Sequence, residues 1–147
     1  MSSKSQSVCK SPIIADEASA QALAQYCPDL ENWARSWCYE QSDLAQGQRI
    51  VKFVKPFLLH LLNQRLSAKT LHKHRDHLWM LGGEVIRHRQ ENSTLRRVAV
   101  ERATFALLEE DGGPLIWPRI SESEQDAFDA TCRKLHQFLT GIESSGR

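Results

Sequence analysis

No apolar run in this chain approaches the roughly 20 residues needed to span a bilayer, so neither a membrane span nor a membrane partner is expected. The opening MSSKSQSVCKSPII carries no apolar signal region, which points to a cytoplasmic protein. Cysteines are few. Cys9, Cys27, Cys38 and Cys132 match no disulfide scaffold and no paired CxxC, so free, mostly buried thiols are expected. Alternation of polar and apolar residues is missing throughout, which excludes strands. The signatures GxSxG, GxGxxG, HExxH and the phosphate-cradling GxxxxGK are also missing, so no enzymatic activity and no cofactor are expected.

What is present suits one globular domain. The chain has 147 residues, 41% hydrophobic and 25% charged, enough to bury a core without staples. Its formal net charge of +1 hides an asymmetry. Residues 1–46 hold three bases against six acids, residues 47–107 twelve against four, and residues 108–147 four against eight. Five of the six histidines also lie in the basic middle. A basic block between acidic flanks suggests a polyanion partner. Alternatively, the acidic ends fold back and neutralise the centre.

The pattern predicts an all-α bundle of five or six helices. A flexible arm is expected over residues 1–12, one helical domain over 13–141 and a flexible tail over 142–147. The Ala-rich Ile14–Tyr26 segment should stop before Cys27-Pro28. Pro28 opens a second helix with Leu30, Trp33, Trp37 and Leu44 as its stripe, and Gly47 offers a stop. QRIVKFVKPFLLHLLNQR is apolar around most of a helix surface and should be central, with Pro56 kinking it or starting its second half. Ser67 caps the next helix, whose stripe is Leu71, His74, Leu78, Leu81 and Val85. Gly82-Gly83 either ends that helix or admits a close neighbour. A further helix is predicted over Thr94–Asp111. GGPLIWPRI reads as a loop held to the core by Leu115, Ile116 and Trp117. Ser121 and Glu124 form a capping box for a last helix ending at Thr140-Gly141.

Two sets of residues invite a function. His72, His74, His77, His88, Cys132 and His136 are metal-ligand types. His74 with His77, and Cys132 with His136, each share a helix face, but no known ligand spacing joins them, and no metal is expected. The second set is basic. After the Ser67 cap, Lys69 and Thr70 stand where a helix N-terminus favours phosphate. His72 and Lys73 project off the apolar stripe. Arg87, Arg89, Arg96 and Arg97 extend the same field, so that the eight together would track a nucleic-acid backbone.

FLLHLLNQRLSAKTLHKHRDHLWML resembles the helical core-binding (SAM-like) module of phage-type tyrosine recombinases. The matching positions are Leu58, Leu61, Leu62, Leu66, Ser67, Thr70, Leu71, His74, Leu78 and Leu81. That resemblance implies a small bundle gripping duplex DNA through bases on the helix after the turn. SAKTLHKH also resembles the recognition helix of response-regulator helix-turn-helix domains, implying DNA contact through Lys69, Thr70 and Lys73. Recombinases need a late Tyr nucleophile. Here Tyr26 and Tyr39 are the sole tyrosines and both precede the motif, so a non-catalytic binding module, a regulator or accessory factor of a mobile element, is implied. The competing expectation is a helical protein-interaction module (adaptor, antitoxin-like or inhibitor) with no nucleic-acid role, using Trp33, Trp37 and Trp117 as anchors.

Overall fold

The computed structural model describes residues 17–145, with side chains through Gly141. The fold is an all-α bundle. Among the described residues six helices run in chain order: α1 (Glu17–Tyr26), α2 (Trp33–Ser36), α3 (Asp43–Leu62), α4 (Ala68–Glu91), α5 (Val100–Leu107) and α6 (Glu122–Ser145). No strand forms among the described residues, which hold only an isolated bridge between Glu109 and Gly112. The expected arm lies outside the described residues.

Two long helices organise the rest. The greasy stretch becomes α3, continuous through Pro56, with Ile50, Val54, Phe57, Leu58 and Leu61 at most 1% exposed. Apolar side chains on several faces bury it under α2, α4 and α5. α4 opens on Ser67, whose Oγ accepts the Thr70 N–H at 3.1 Å. That cap satisfies one of the donors a helix start leaves unpaired. α4 buries Leu78, Leu81, Val85 and Ile86 against the same core. Phe128 and Leu135 of α6 close it.

The glycines mark close approach. Gly82 and Gly83 sit inside α4, which settles the alternative left by the sequence. A Cβ on Gly82 would stand 2.2 Å from the Trp37 ring. Gly47, expected to stop a helix, lies inside α3, where a Cβ would come within 2.9 Å of Ala34. The break falls earlier, because the buried Asp43 carboxylate accepts the Tyr39 and Glu40 N–H groups at 2.9 and 3.1 Å. The expected helix from Pro28 is thereby reduced to a 3-10 turn (Leu30–Asn32) and the short α2.

Three more expectations are corrected. The helix predicted over Thr94–Asp111 is a 3-10 turn at Leu95–Arg97 followed by α5, because Arg89 draws the carbonyls of Leu95 and Val98 out of helical register. α6 runs past Thr140-Gly141 to Ser145, so most of the expected tail is helical. Thr140 returns its hydroxyl to the His136 carbonyl, and no described glycine takes the left-handed conformation that terminates helices. Of the three side chains expected to hold the Gly112–Ile120 loop, only Ile116 is buried, while Leu115 and Trp117 are 68% and 46% exposed. The Gln125 side-chain amide holds this loop. Its oxygen accepts the N–H groups of Ile116 and Trp117 at 2.8 and 2.9 Å, and its nitrogen donates to the Pro114 carbonyl. The Ser121–Glu124 capping box forms as read, with 3.1 and 2.9 Å bonds.

Candidate functional site

The eight basic and polar residues singled out by the sequence divide into two groups along α4 and the turn after it. Lys69 to Arg89 is twenty residues, roughly 30 Å of helix, so no single patch holds all eight. Lys69, His72 and Lys73 are exposed on the first turns and form no ion pair among the described residues. Thr70 is half-buried, its hydroxyl oxygen accepting from Ser67.

The second group is largely consumed by the fold. Arg87 donates to Glu91 at 2.7 Å and Glu84 at 3.2 Å, and the Glu84 bond raises its pKa. Arg89 is 8% exposed and donates to the carbonyls of Leu95 and Val98. Burial pulls its pKa down. Arg96 donates to the Arg89 and Gln90 carbonyls and to the Gln90 side chain. Of the four arginines, Arg97 alone is exposed without such a bond among the described residues. A base whose donors close a turn has few left for a phosphate.

The histidines do not gather around a metal. Among the described residues no three His, Cys, Asp or Glu side chains come together as a ligand set. His136 stacks on Phe105, with ring centroids 5.5 Å apart. His74 and His77 instead meet at Thr131 of α6. Both Nδ1 atoms lie 2.7 Å from the fully buried Thr131 Oγ1. A threonine hydroxyl has one proton, so it can donate to only one imidazole and must accept from the other. His74 Nε2 is buried without a partner among the described residues, and an unpaired lone pair is cheaper there than an unpaired N–H. The favoured arrangement therefore has His74 Nδ1–H donating to Thr131, and Thr131 donating to His77 Nδ1. Burial lowers both pKa values, that of His74 to about 4.

The third feature is a groove of about 490 Å³ between the α2–α3 connection, the middle of α4 and the Gly112–Ile120 loop. Trp37, Met80 and Ile120 give it apolar walls, and Tyr39 and Trp79 stand at its edges 62% and 43% exposed. Trp117 is exposed on the loop between two groove residues, Ile116 and Arg119. Large aromatics are costly to leave in water. Trp79 is also held in place: its indole N–H donates to Ser36 Oγ at 2.9 Å, and its carbonyl accepts the Trp37 indole at 3.0 Å. The groove adjoins a second depression across Trp79 and Met80, and a third across Cys38 and Tyr39.

Charge in the groove is unevenly committed. The Glu84 carboxylate, with its side chain only 7% exposed, accepts from Arg87 through one oxygen and from Arg119 through the other at 2.9 Å, and His88 lies 3.7 Å away. The Arg119 side chain is 50% exposed and makes only that side-chain bond among the described residues.

The sequence reading therefore misses Tyr39, Trp79 and Arg119. Of the three tryptophans proposed as anchors, Trp33 and Trp37 are core residues at 3% and 5% exposure, and Trp117 is exposed. Trp79 had a signal. It shares the face of His72, Asp76 and Gly83, a polar stripe on which a tryptophan is out of place. Comparison with protein-family models, with characterised proteins and with solved structures finds no match.

Proposed function

We propose that this chain is a non-catalytic protein-interaction module whose groove receives a short segment of another protein. One observation carries this: a fixed, exposed tryptophan, Trp79, stands at the edge of an apolar groove flanked by exposed Tyr39 and Trp117. Rigid aromatics beside a pocket are where binding energy concentrates, since little side-chain entropy is lost when a partner arrives. The test is selection of a random twelve-residue peptide library on the full chain, followed by affinity measurement on Trp79→Ala. Recovered peptides should bind Trp79→Ala at least tenfold more weakly. Absence of enrichment, or affinities indifferent to the substitution, would overturn the proposal.

Duplex DNA is a second reading, and one observation favours it. Lys69, His72 and Lys73 are exposed on the first turns of α4 without acidic partners among the described residues. The surface would hold few phosphates, giving weak binding that falls with salt. Anisotropy of a labelled duplex at two salt concentrations tests it. Binding that Lys69→Glu with Lys73→Glu abolishes supports DNA contact there, and no binding at low salt retires it.

A further inference from the structure

Resting on the docking reading, we infer that the segment received by the groove is an apolar anchor followed by a carboxylate, the anchor entering between Trp79 and Ile120 and the carboxylate meeting Arg119. The sign comes from which charges are already used. Both Glu84 oxygens are engaged by arginines and its side chain is nearly buried, so a cationic guest finds no available anion at the groove floor. Arg119 presents its remaining N–H donors at the groove with no acceptor among the described residues. A guanidinium with open donors is a bidentate carboxylate site. Across Tyr39, the adjoining depression holds both signs: Arg35 is exposed and makes no ion pair among the described residues, and the exposed Glu40 accepts from the neutral Gln90 amide.

Polarity also gives direction. In the depression beyond Trp79 the exposed charged residues are Asp29 and Asp76, with the half-buried Arg75 paired to Asp76. A segment lying along this face meets acids on one side of Trp79 and open arginine donors on the other. Its carboxylate therefore belongs at the Arg119 end, and an acid placed beyond Trp79 would be repelled. At the Arg119 end, an aromatic cage for a quaternary ammonium, which the aromatics alone would suggest, is disfavoured by the open guanidinium.

The experiment takes the peptides selected on the full chain and compares each with its Glu→Gln or Asp→Asn version, on wild type and on Arg119→Gln. Wild type should lose about three- to tenfold in affinity when the acid is neutralised, because the contact is charge-assisted but half-exposed. Arg119→Gln should bind both versions equally while retaining Trp79-dependent binding of the apolar anchor. Arg119→Glu, checked for an unchanged thermal midpoint, should prefer a basic residue in place of the acid. Groove-binding peptides without an acid preference, or a preference that survives in Arg119→Gln, would overturn the carboxylate assignment alone. Peptides that ignore Trp79→Ala would overturn the docking reading beneath it.

Discussion

The two ends of α4 carry the same kind of residue and use it in opposite ways. At the start, Lys69 and Lys73 extend into water without ion pairs among the described residues. At the finish, Arg87, Arg89 and Arg96 spend their donors on carboxylates and on the carbonyls of the turn that follows. Between them, Trp79, Met80, Gly83 and Glu84 wall the groove. The difference is a matter of reach and geometry. Lysine offers a mobile point charge, whereas arginine offers a fork that can fasten several carbonyls at once. Counting bases therefore overstates a nucleic-acid surface wherever arginines follow a helix end.

Breaking the finish should cost most. Arg89→Ala leaves the Leu95 and Val98 carbonyls without their donor and removes a nearly buried side chain. A loss of about 2–4 kcal/mol in urea unfolding is expected. Gly82→Ala comes next, since its methyl would overlap the Trp37 ring. It should cost about 1–3 kcal/mol and disturb the groove, visible as a changed Trp79 environment. Lys69→Ala with Lys73→Ala should leave stability within about 0.5 kcal/mol of wild type. Equal costs at the two ends of α4 would contradict the contrast.

The buried His74–Thr131–His77 junction ties the stability of α4 to pH. Both imidazoles have folded pKa values below the ordinary 6.5. The unfolded chain therefore takes up protons first as pH falls. The junction's full contribution is present above about 6.5 and is lost as pH drops toward the His74 value of about 4. Lys73 and Lys134 oppose protonation of His74, while Asp76 and Glu124 favour it at His77. Unfolding midpoints between pH 7 and pH 4 should fall for wild type, and fall less for the variant combining His74→Gln and His77→Gln. An equal fall in both would place the acid sensitivity elsewhere.

Much of the fold was legible because it follows from local rules. The Ser67 cap, the Ser121–Glu124 box and the apolar surround of α3 are one-dimensional signals. What escaped depends on partners distant in sequence. Asp43 gathers the N–H groups of Tyr39 and Glu40, so the break that Gly47 was expected to make falls earlier in the chain. Trp37 lies across Gly82, and that distant indole decides between the helix end and the close neighbour that Gly82-Gly83 left open. The site was less legible for the same reason. Tyr39, Trp79 and Arg119 come from three separate segments, and only the position of Trp79 on a polar stripe gave it away.

The chain's four tryptophans, Trp33, Trp37, Trp79 and Trp117, supply four indole N–H signals in a nitrogen–proton correlation spectrum. Titration with a selected peptide should move the Trp79 and Trp117 signals, with Trp33, turned from α2 into the core, staying in place. Shifts centred on Trp33, or Trp79 and Trp117 unmoved by a peptide that binds, would contradict the groove as the docking site.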